Sequence, residues 1–346
     1  MTYKISIIIP TYNAGNFLMN ALNSIFDQTI GFNNIEVIIP DDCSNDNTRT
    51  LLKDLDEKYE NIKPILFKEN SGSPSKGRNV GINEANGKYI MFLDQDDSYK
   101  EDICEKLYGT AEEYNADIVN CRLYLSKNGE NIEEGNVLDK KEEVMVLNSI
   151  DENPSLLVTT AIWNKIYNRS FVLENNIQFA VNELYEDTYF NIQAFTKASK
   201  IVSLNKYFGI YYNIRESGED KATSKTFNKA NLIKMYKGFK SILKYLEKNN
   251  KSYPEFEFQT LMGFTKWILL SDCEKEKKLE LYREFKTYYK KFSLFLKLEN
   301  VSLVKNILMN CFMKLLGFNE LTFNLIISIF DNECFKSKLQ NFHYLR

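Results

Sequence analysis

The sequence predicts an α/β fold in which a mostly parallel central sheet is flanked by helices and followed by an α-helical C-terminal region. Short apolar segments alternate with segments of helical periodicity over the first 120 residues. The apolar segments are rich in β-branched residues and have few polar positions, as expected for strands that are buried on both faces. After Phe227, apolar residues recur at helical spacing without intervening strands.

Strands and helices are predicted in strict alternation. The five predicted strands lie at 5–10, 36–40, 62–67, 88–93 and 116–121. Helices are predicted at 17–26, around Leu51–Leu55 and at 75–86. Because strand and helix alternate, right-handed crossovers and parallel pairing are expected. Residues 122–158 are polar and are predicted to form a loop with short strands.

The C-terminal region is predicted to contain several helices. The first has one apolar face, made of Leu232, Tyr236, Phe239, Leu243 and Leu246. Further helices are predicted near 258–270, 275–297 and 301–317. Since the sequence pattern changes at that point, we place a domain boundary near residue 226, between domains of residues 1–225 and 226–346.

Residues 301–330 are unusually apolar, with Lys305 and Lys314 as their only cations. One helix face is predicted from Val301, Val304, Leu308, Cys311, Leu315 and Phe318. Three explanations are open, and we rank them as packing on the N-terminal domain, a homo-oligomer interface, and peripheral contact with a membrane. The membrane ranks last because the basic polar face that would favour it is thin.

Composition and charge exclude several classes of protein. The 346 residues are 44% hydrophobic and 26% charged, with a net charge of −3, so a general affinity for nucleic acid is not expected. A single histidine, His343, argues against a Ser-His-Asp triad and a zinc site built on histidines, which leaves a carboxylate as the expected base. The six cysteines lack Cys-x-x-Cys spacing and are expected to be reduced thiols. With no signal-peptide core and no long apolar stretch, a cytoplasmic location is expected.

Polar side chains follow the ends of the first four predicted strands. These segments are Thr11–Asn13, Asp41–Asp46, Asn70–Gly72 and Asp94–Asp97. Open α/β sheets bind ligands beyond the carboxyl ends of their strands, so a nucleotide site is expected at this edge. Helix capping is the alternative for Asp41–Asp46, and a simple turn is the alternative for Asn70–Gly72.

Three carboxylates, Asp94, Asp96 and Asp97, lie within four residues after a buried strand. Carboxylates this close repel one another unless a cation neutralises them. Hard oxygen ligands completed by substrate phosphates suit Mg²⁺ or Mn²⁺, while a solvated acidic turn is the alternative. The chain has neither a G-x-x-x-x-G-K-[ST] loop nor a G-x-G-x-x-G loop after a strand, which argues against P-loop NTPases and dinucleotide dehydrogenases.

Four motifs together resemble family 2 glycosyltransferases of the GT-A fold, of the type that builds bacterial surface polysaccharides. They are Ser6–Asn13 (SIIIPTYN), Val37–Thr48 (VIIPDDCSNDNT), Gly77–Gly81 (GRNVG) and Gly87–Asp97 (GKYIMFLDQDD). Trp163–Arg169 (WNKIYNR) and Glu186–Asp187 resemble the acceptor-side motifs of the family. The resemblance covers the N-terminal two-thirds of the chain and implies that residues 1–120 bind a nucleotide sugar and residues 121–225 face the acceptor.

The resemblance implies a base and ribose pocket at the ends of the first two strands. Pro10, Thr11 and Tyr12 match residues that line this pocket in the family. Asp42 matches the residue that accepts the uracil N3–H, with Asp41 beside it.

The other donor-side residues are implied in the same way. Asn70 and Arg78 match positions that help to hold the base, and Asp94 matches the ribose contact. Asp96 matches the ligand of the Mn²⁺ or Mg²⁺ ion that bridges the diphosphate, and Asp97 would support that ion.

On the acceptor side, Asp187 matches the catalytic base of the family, with Glu186 as its neighbour. A single base implies inversion of the anomeric configuration, because the acceptor attacks opposite the leaving group. The alternative for this pair is two carboxylates that stabilise a helix N-terminus. Trp163 and Lys165 are implied acceptor contacts, although a buried core residue is the favoured interpretation of Trp163.

The chain departs from the family pattern at three positions. Pro40 and Cys43 replace a Val-type residue and a glycine, and Cys43 must adopt the backbone shape that glycine usually provides. No histidine lies near residues 211–212, so Arg215 is the candidate for the diphosphate contact, with a surface ion pair as the alternative.

The expected function is therefore an inverting, metal-dependent transfer of a hexosyl or N-acetylhexosaminyl group from a UDP-sugar. The acceptor would be a surface polysaccharide, a teichoic acid or a lipid-linked glycan. A nucleotidyltransferase is an alternative, but Thr11–Gly15 lacks its basic glycine-rich loop. A second alternative is a non-catalytic module that binds a sugar nucleotide or glycan. The presence of both Asp96 and Asp187 argues against it.

Overall fold

The computed structural model describes residues 3–127, 130–134, 144–207, 210–213, 226–292 and 303–330. The chain falls into two compact units. The first comprises Met1–Asn182 and Glu186–Arg215, and the second comprises Glu183–Tyr185 and Glu216–Arg346. The boundary near residue 226 lies close to the start of the second unit and stays a prediction.

The described part of the first unit contains eleven strands and six α-helices. The strands are β1 (Ile5–Ile8), β2 (Ile35–Asp41), β3 (Ile62–Leu66), β4 (Tyr89–Phe92), β5 (Ser98–Tyr99), β6 (Ile118–Lys127), β7 (Glu130–Glu134), β8 (Val144–Leu147), β9 (Lys165–Asn168), β10 (Ile201–Tyr207) and β11 (Ile210–Asn213). The helices are α1 (Leu18–Phe26), α2 (Thr48–Lys58), α3 (Pro74–Glu84), α4 (Ile103–Tyr114), α5 (Arg169–Glu174) and α6 (Glu186–Lys197), with 3₁₀ turns at Phe32–Asn34, Ile150–Glu152 and Pro154–Val158.

The sheet is mostly parallel where it was predicted to be. β1 pairs in parallel with β2 and β4, so that Ile5 lies beside Ile35 and Tyr89, and β2 pairs in parallel with β3. The main strand order is β3-β2-β1-β4-β9-β6-β10-β8, with β9 antiparallel to both its neighbours. The predicted strands at the start of the chain are confirmed, and β6 extends beyond the predicted end of the fifth strand. Strand β9 was not predicted.

Helix α3 packs very closely on the sheet because two of its residues are glycines. A Cβ atom on Gly81 would lie 2.5 Å from Cγ2 of Ile8, and one on Gly77 would lie 3.2 Å from Cβ of Pro40. β1 and β2 are buried along their whole length beneath such helices. This close approach fixes the position of Arg78, which follows Gly77 directly.

The second unit is helical in its described residues. Its helices are α7 (Lys229–Lys248), α8 (Pro254–Leu270), α9 (Lys275–Lys291), α10 (Leu303–Phe318) and α11 (Glu320–Phe330). Four of the five residues on the predicted face of α7 are buried, and the fifth, Tyr236, is half-buried and donates to Glu284 Oε1 at 2.9 Å. Phe239, Phe264 and Phe285 form an aromatic cluster with ring centroids 4.8–5.3 Å apart.

The face predicted for residues 301–318 is wrong for the side chains that the structure describes. Cys311 is exposed and Leu315 is 53% exposed, whereas Met309, Met313 and Leu316 are buried in the core of the second unit. The side chains of Val301, Val304, Leu308 and Phe318 lie outside the described residues. The helix packs through the adjacent face because almost every position is apolar, so the sequence pattern does not select one face.

No helix in the described part of the chain is both long enough and apolar enough to cross a membrane. Helix α11 exposes Leu321 and Leu325 at 78% and 63%. Whether residues 301–330 contact a second copy or a membrane surface stays a prediction.

Candidate active site

Asp41 ends β2 and is fully buried among partners from the same unit. Its carboxylate accepts the Ser44 backbone N–H at 3.1 Å and the Ser44 hydroxyl, and the Arg49 Nε–H at 2.8 Å. Arg49 also donates to the carbonyl of Phe67, which follows β3. Asp41 therefore ties the ends of two strands to the first turn of α2.

Asp42 joins the loop that follows β3 to the end of β2. Its Oδ1 accepts the Ser71 N–H at 2.8 Å and its Oδ2 accepts the Gly72 N–H at 3.2 Å. The Asn70 side-chain amide donates to the Asp42 carbonyl at 2.9 Å. Since an ionised carboxylate can accept about four hydrogen bonds, half-buried Asp42 keeps acceptor capacity for a ligand.

Tyr12 lies at the end of β1 and is held by a residue from the end of β4. Its N–H donates to Gln95 Oε1 at 2.7 Å, and Gln95 Nε2 donates back to its carbonyl at 3.1 Å. The Tyr12 side chain is 45% exposed, whereas Pro10 and Thr11 are buried. This arrangement presents one aromatic ring at the strand-end edge of the sheet.

Arg78 is the centre of the site. It is 3% exposed, and its guanidinium pairs with Asp94 at 2.7 Å and with Asp187 at 2.8 Å. Glu186 lies 3.7 Å away, and the Phe179 ring centroid lies 5.2 Å from the guanidinium carbon. Arg78 thus connects the end of β4 with the first turn of α6.

The carboxylate of Asp187 is more basic than an ordinary aspartate. Burial raises its pKa to about 7, with Glu186 and Asp94 adding to the rise and Arg78 and Lys165 opposing it. For Arg78, burial lowers the pKa, but the three carboxylates outweigh that effect and hold the pKa above its ordinary value. The Asp187 side chain is nevertheless 29% exposed, so part of it is accessible from solvent.

The acidic turn after β4 offers oxygen ligands from two further aspartates. Asp96 is half-buried and Asp97 is 1% exposed, with the Asp97 N–H donating to the Asp94 carbonyl at 3.1 Å. Across the described ranges, no three His, Cys, Asp or Glu side chains converge as a ready-made metal cage. One or two carboxylates without a cage match the way in which Mg²⁺ is bound when substrate phosphates complete its shell.

Trp163 and Lys165 lie at the start of β9. Trp163 is half-buried against the main core of the first unit. Lys165 is fully buried, and its ammonium donates to the carbonyls of Thr159 and Ala161 and to Oδ1 of Asn164. Direct contact of either residue with an acceptor stays a prediction.

Of the three departures from the family pattern, the structure describes Cys43 and Pro40 but not Arg215. Cys43 has a φ of +64°, the left-handed conformation for which glycine is favoured. The Pro40 carbonyl accepts the Thr11 N–H at 2.9 Å, so the missing N–H of proline leaves this link between strands intact. Arg215 lies outside the described residues, and its diphosphate contact stays a prediction.

Sequence reasoning missed Arg49, Gln95 and Phe179. Gln95 does lie in the polar strand-end segment Asp94–Asp97, and Arg49 lies in the first turn of α2, from which it reaches back to the strand end. Asp46 accepts the N–H groups of Gly15 at 3.1 Å and of Thr48, the first residue of α2, at 3.0 Å, whereas the N-cap residue Asn47 makes no side-chain cap bond.

The family model described as glycosyl transferase family 2 matches residues 6–156. The poly(ribitol-phosphate) beta-N-acetylglucosaminyltransferase TarP of Staphylococcus aureus strain N315 is 30% identical over 297 residues, which cover 82% of this chain and 87% of TarP. TarS of Staphylococcus aureus strain Mu50, named for the same activity, is 29% identical over 64% of this chain and 37% of TarS. The poly(ribitol-phosphate) beta-glucosyltransferase of Bacillus spizizenii is 32% identical over 62% of this chain and 33% of its own length. The chain thus spans about a third of the length of the last two relatives.

The fold is also found in solved structures. Residues 1–349 of Staphylococcus aureus TarS in complex with UDP-GlcNAc superpose with a TM-score of 0.66 at 21% identity, covering 95% of this chain and 91% of that one. The complex with UDP gives a TM-score of 0.64 at 20% identity over the same shares of the two chains. The GT-A architecture with a helical C-terminal region is thereby confirmed. Together with the similarity to TarP over most of both chains, this shows that the chain belongs to glycosyltransferase family 2.

Proposed function

We propose that this chain is an inverting glycosyltransferase that moves a hexosyl or N-acetylhexosaminyl group from a UDP-sugar to a bacterial surface glycan. The observation that carries the proposal is the cluster of Arg78 with Asp94 and Asp187 at the carboxyl ends of the strands. It combines a ribose-side carboxylate, a buried cation and a carboxylate basic enough to take a proton near neutral pH.

The donor would bind across the ends of β1, β2 and β4. We assign the exposed Tyr12 ring to the uracil face and the remaining acceptor capacity of Asp42 to the uracil N3–H. Pro10 and Thr11 would form the floor of this pocket. Asp41 would act indirectly, because its carboxylate already has internal partners. TarS has been crystallised with UDP and with UDP-GlcNAc, which supports a uridine nucleotide as the donor.

Asp187 would be the general base. The acceptor hydroxyl oxygen attacks the anomeric carbon while its proton passes to the Asp187 carboxylate, and the bond to the UDP oxygen breaks with its electron pair. Arg78 would hold Asp187 in place through the bond of 2.8 Å. Attack opposite the departing UDP inverts the anomeric configuration.

Family 2 enzymes generally depend on a divalent metal, and the donor set here fits Mn²⁺ or Mg²⁺. We propose Asp96 as the ligand, with Asp97 in support and the diphosphate completing the shell. When bound, the ion supplies positive charge that stabilises the leaving diphosphate.

The acceptor would be a polymer of the teichoic-acid class or another surface polysaccharide or lipid-linked glycan. TarP and TarS are named for transfer to poly(ribitol-phosphate), which makes this polymer the first acceptor to test. We assign the half-buried Trp163 to the acceptor side. A cytoplasmic location is part of the proposal, because six cysteines without Cys-x-x-Cys spacing are expected to be reduced thiols.

The test is a matrix of donors and acceptors. Release of the nucleoside diphosphate, UDP or GDP, is measured with UDP-Glc, UDP-GlcNAc, UDP-Gal and GDP-mannose, each with poly(ribitol phosphate) or buffer alone, in Mn²⁺ or EDTA. We expect metal-dependent release of UDP from one UDP-sugar that rises when the acceptor is present. Absence of both UDP release and calorimetric binding of every UDP-sugar contradicts the proposal.

A further inference from the structure

We propose that Lys165 is a positioning residue for this transfer: its buried ammonium fixes residues 159–161 against the helix that carries Asp187 and acts as a second cation for that carboxylate. The inference rests on the proposed function of Asp187. It requires no contact between Lys165 and the acceptor.

The ammonium of Lys165 is enclosed by its own unit. The residue is 0% exposed, and Nζ donates to Asn164 Oδ1 at 2.9 Å, to the Thr159 carbonyl at 3.3 Å and to the Ala161 carbonyl. The Phe195 ring centroid lies 5.9 Å from Nζ. Burying an ammonium is costly unless its donors are satisfied, and these three oxygens match its three N–H bonds. Two of the oxygens belong to the backbone, so the ammonium holds a segment of chain.

A second buried side chain holds the same segment from helix α6. Asn191 Nδ2 donates to the Thr160 carbonyl at 2.6 Å and to the Ala161 carbonyl at 3.3 Å. Its Oδ1 accepts the Tyr167 hydroxyl at 2.8 Å, which fixes the orientation of the amide. Asn191 follows Asp187 by four residues, so both project from one face of α6. The carbonyls of residues 159–161 are thus bound by two buried side chains, one from β9 and one from the face of α6 that carries the proposed base.

The charges around Asp187 give Lys165 its second role. Four charged groups act on this carboxylate: Arg78 and Lys165 lower its pKa, while Glu186 and Asp94 raise it. Burial lowers the pKa of Lys165 to about 7, with Cys121 and Asp187 opposing that shift. The ammonium and the carboxylate therefore each favour the charged form of the other. Without the cation, Asp187 should need a higher pH to ionise.

Two variants test the inference. Lys165→Met removes both the charge and the hydrogen bonds, whereas Lys165→Gln removes the charge and keeps two donors for the carbonyls. We expect both to move the acid limb of the kcat–pH profile upward, by at most about one pH unit, with an unchanged KM for the UDP-sugar. At pH 7 that shift lowers kcat by up to about fivefold, since fewer molecules carry ionised Asp187. Lys63→Met is the control, because Lys63 is exposed and pairs with Glu84 at 2.5 Å on the surface.

A purely structural role for Lys165 gives a different result. Both variants would then lower the unfolding temperature and reduce kcat by the same factor at every pH, and that outcome overturns the inference. If Lys165→Met does not fold, the pH profile of Lys165→Gln is sufficient to test the inference. The titration of Asp187, followed by ¹³C NMR of aspartate-labelled protein and assigned with Asp187→Asn, gives the same answer without turnover. A wild type that neither releases UDP nor binds any UDP-sugar contradicts the proposed function, whereas an Asp187 titration that is unchanged in Lys165→Gln contradicts only this inference.

Discussion

Two acidic groups at the edge of the sheet differ in how their charge is compensated. Asp41 is fully buried, and its carboxylate accepts three hydrogen bonds, one of them from the guanidinium of Arg49. Asp187 shares Arg78 with Asp94 and lies beside Glu186, and its pKa is raised to about 7. A carboxylate with a complete set of partners holds the scaffold, whereas one with incomplete compensation can change its protonation state near neutral pH.

Of the substitutions that test this difference between Asp41 and Asp187, Asp187→Asn should have the largest effect on transfer. Because the amide cannot take a proton, we expect transfer to fall roughly 10²–10⁴-fold while UDP-sugar binding remains. In the wild type, activity should decline as the pH falls through about 7, since the raised pKa means that the carboxylate protonates there. Steady-state UDP release and calorimetric binding measure the two effects. Wild-type transfer rates in Asp187→Asn would rule out its role as the base.

Arg78→Met removes the cation that Asp94, Asp187 and Glu186 share. The remaining carboxylates repel one another, so the pKa of Asp187 should rise further and transfer at pH 7 should fall at least about tenfold. We expect a loss of about 1–3 kcal/mol in the free energy of unfolding, limited because two of the acids are about a third exposed. Urea unfolding and kcat at several pH values test this. Arg49→Met is the matched control, which should lose stability but keep its pH profile.

Asp41→Asn tests the scaffold side of the comparison. The amide cannot accept from Ser44 and Arg49 as the carboxylate does, and we expect a loss of about 1–3 kcal/mol in the free energy of unfolding. The kcat of the folded fraction should change less than about threefold, because Asp41 takes no part in proton transfer in the proposed mechanism. Asp56→Asn, at an exposed position, is the control. A hundredfold loss of kcat in a stably folded Asp41→Asn would place Asp41 among the catalytic groups.

Sequence patterns located the donor-side edge well because the position of a polar residue after a buried strand follows from the alternation of strand and helix. Asp42, Asn70 and Asp94 all lie at strand ends as predicted. The pairing of Arg78 with Asp187 could not be predicted, because 109 residues separate them and no local pattern records the contact.

Two further results depend on tertiary structure in the same way. Lysine is usually exposed, but Lys165 is completely buried. Its burial is possible because backbone carbonyls of the folded chain accept hydrogen bonds from its ammonium. Strand β9 has four residues, and it is recognisable only because β4 and β6 pair with it on both sides. The face of α10 was mispredicted because its apolar residues surround the helix.

Cys43→Gly should have the smallest effect, and in the opposite direction. A side chain at a φ of +64° costs roughly 1 kcal/mol, which glycine avoids, although glycine loses more backbone entropy on folding. The thiol contributes only a weak contact to the Lys68 carbonyl at 3.4 Å. We expect a gain of up to about 1 kcal/mol in urea unfolding with unchanged transfer. Asn250→Gly is the control, since asparagine tolerates this conformation better and should gain less. A lower stability in Cys43→Gly would mean that the thiol contact outweighs the backbone strain, so that this loop, like Asp41, is held by its side-chain partners.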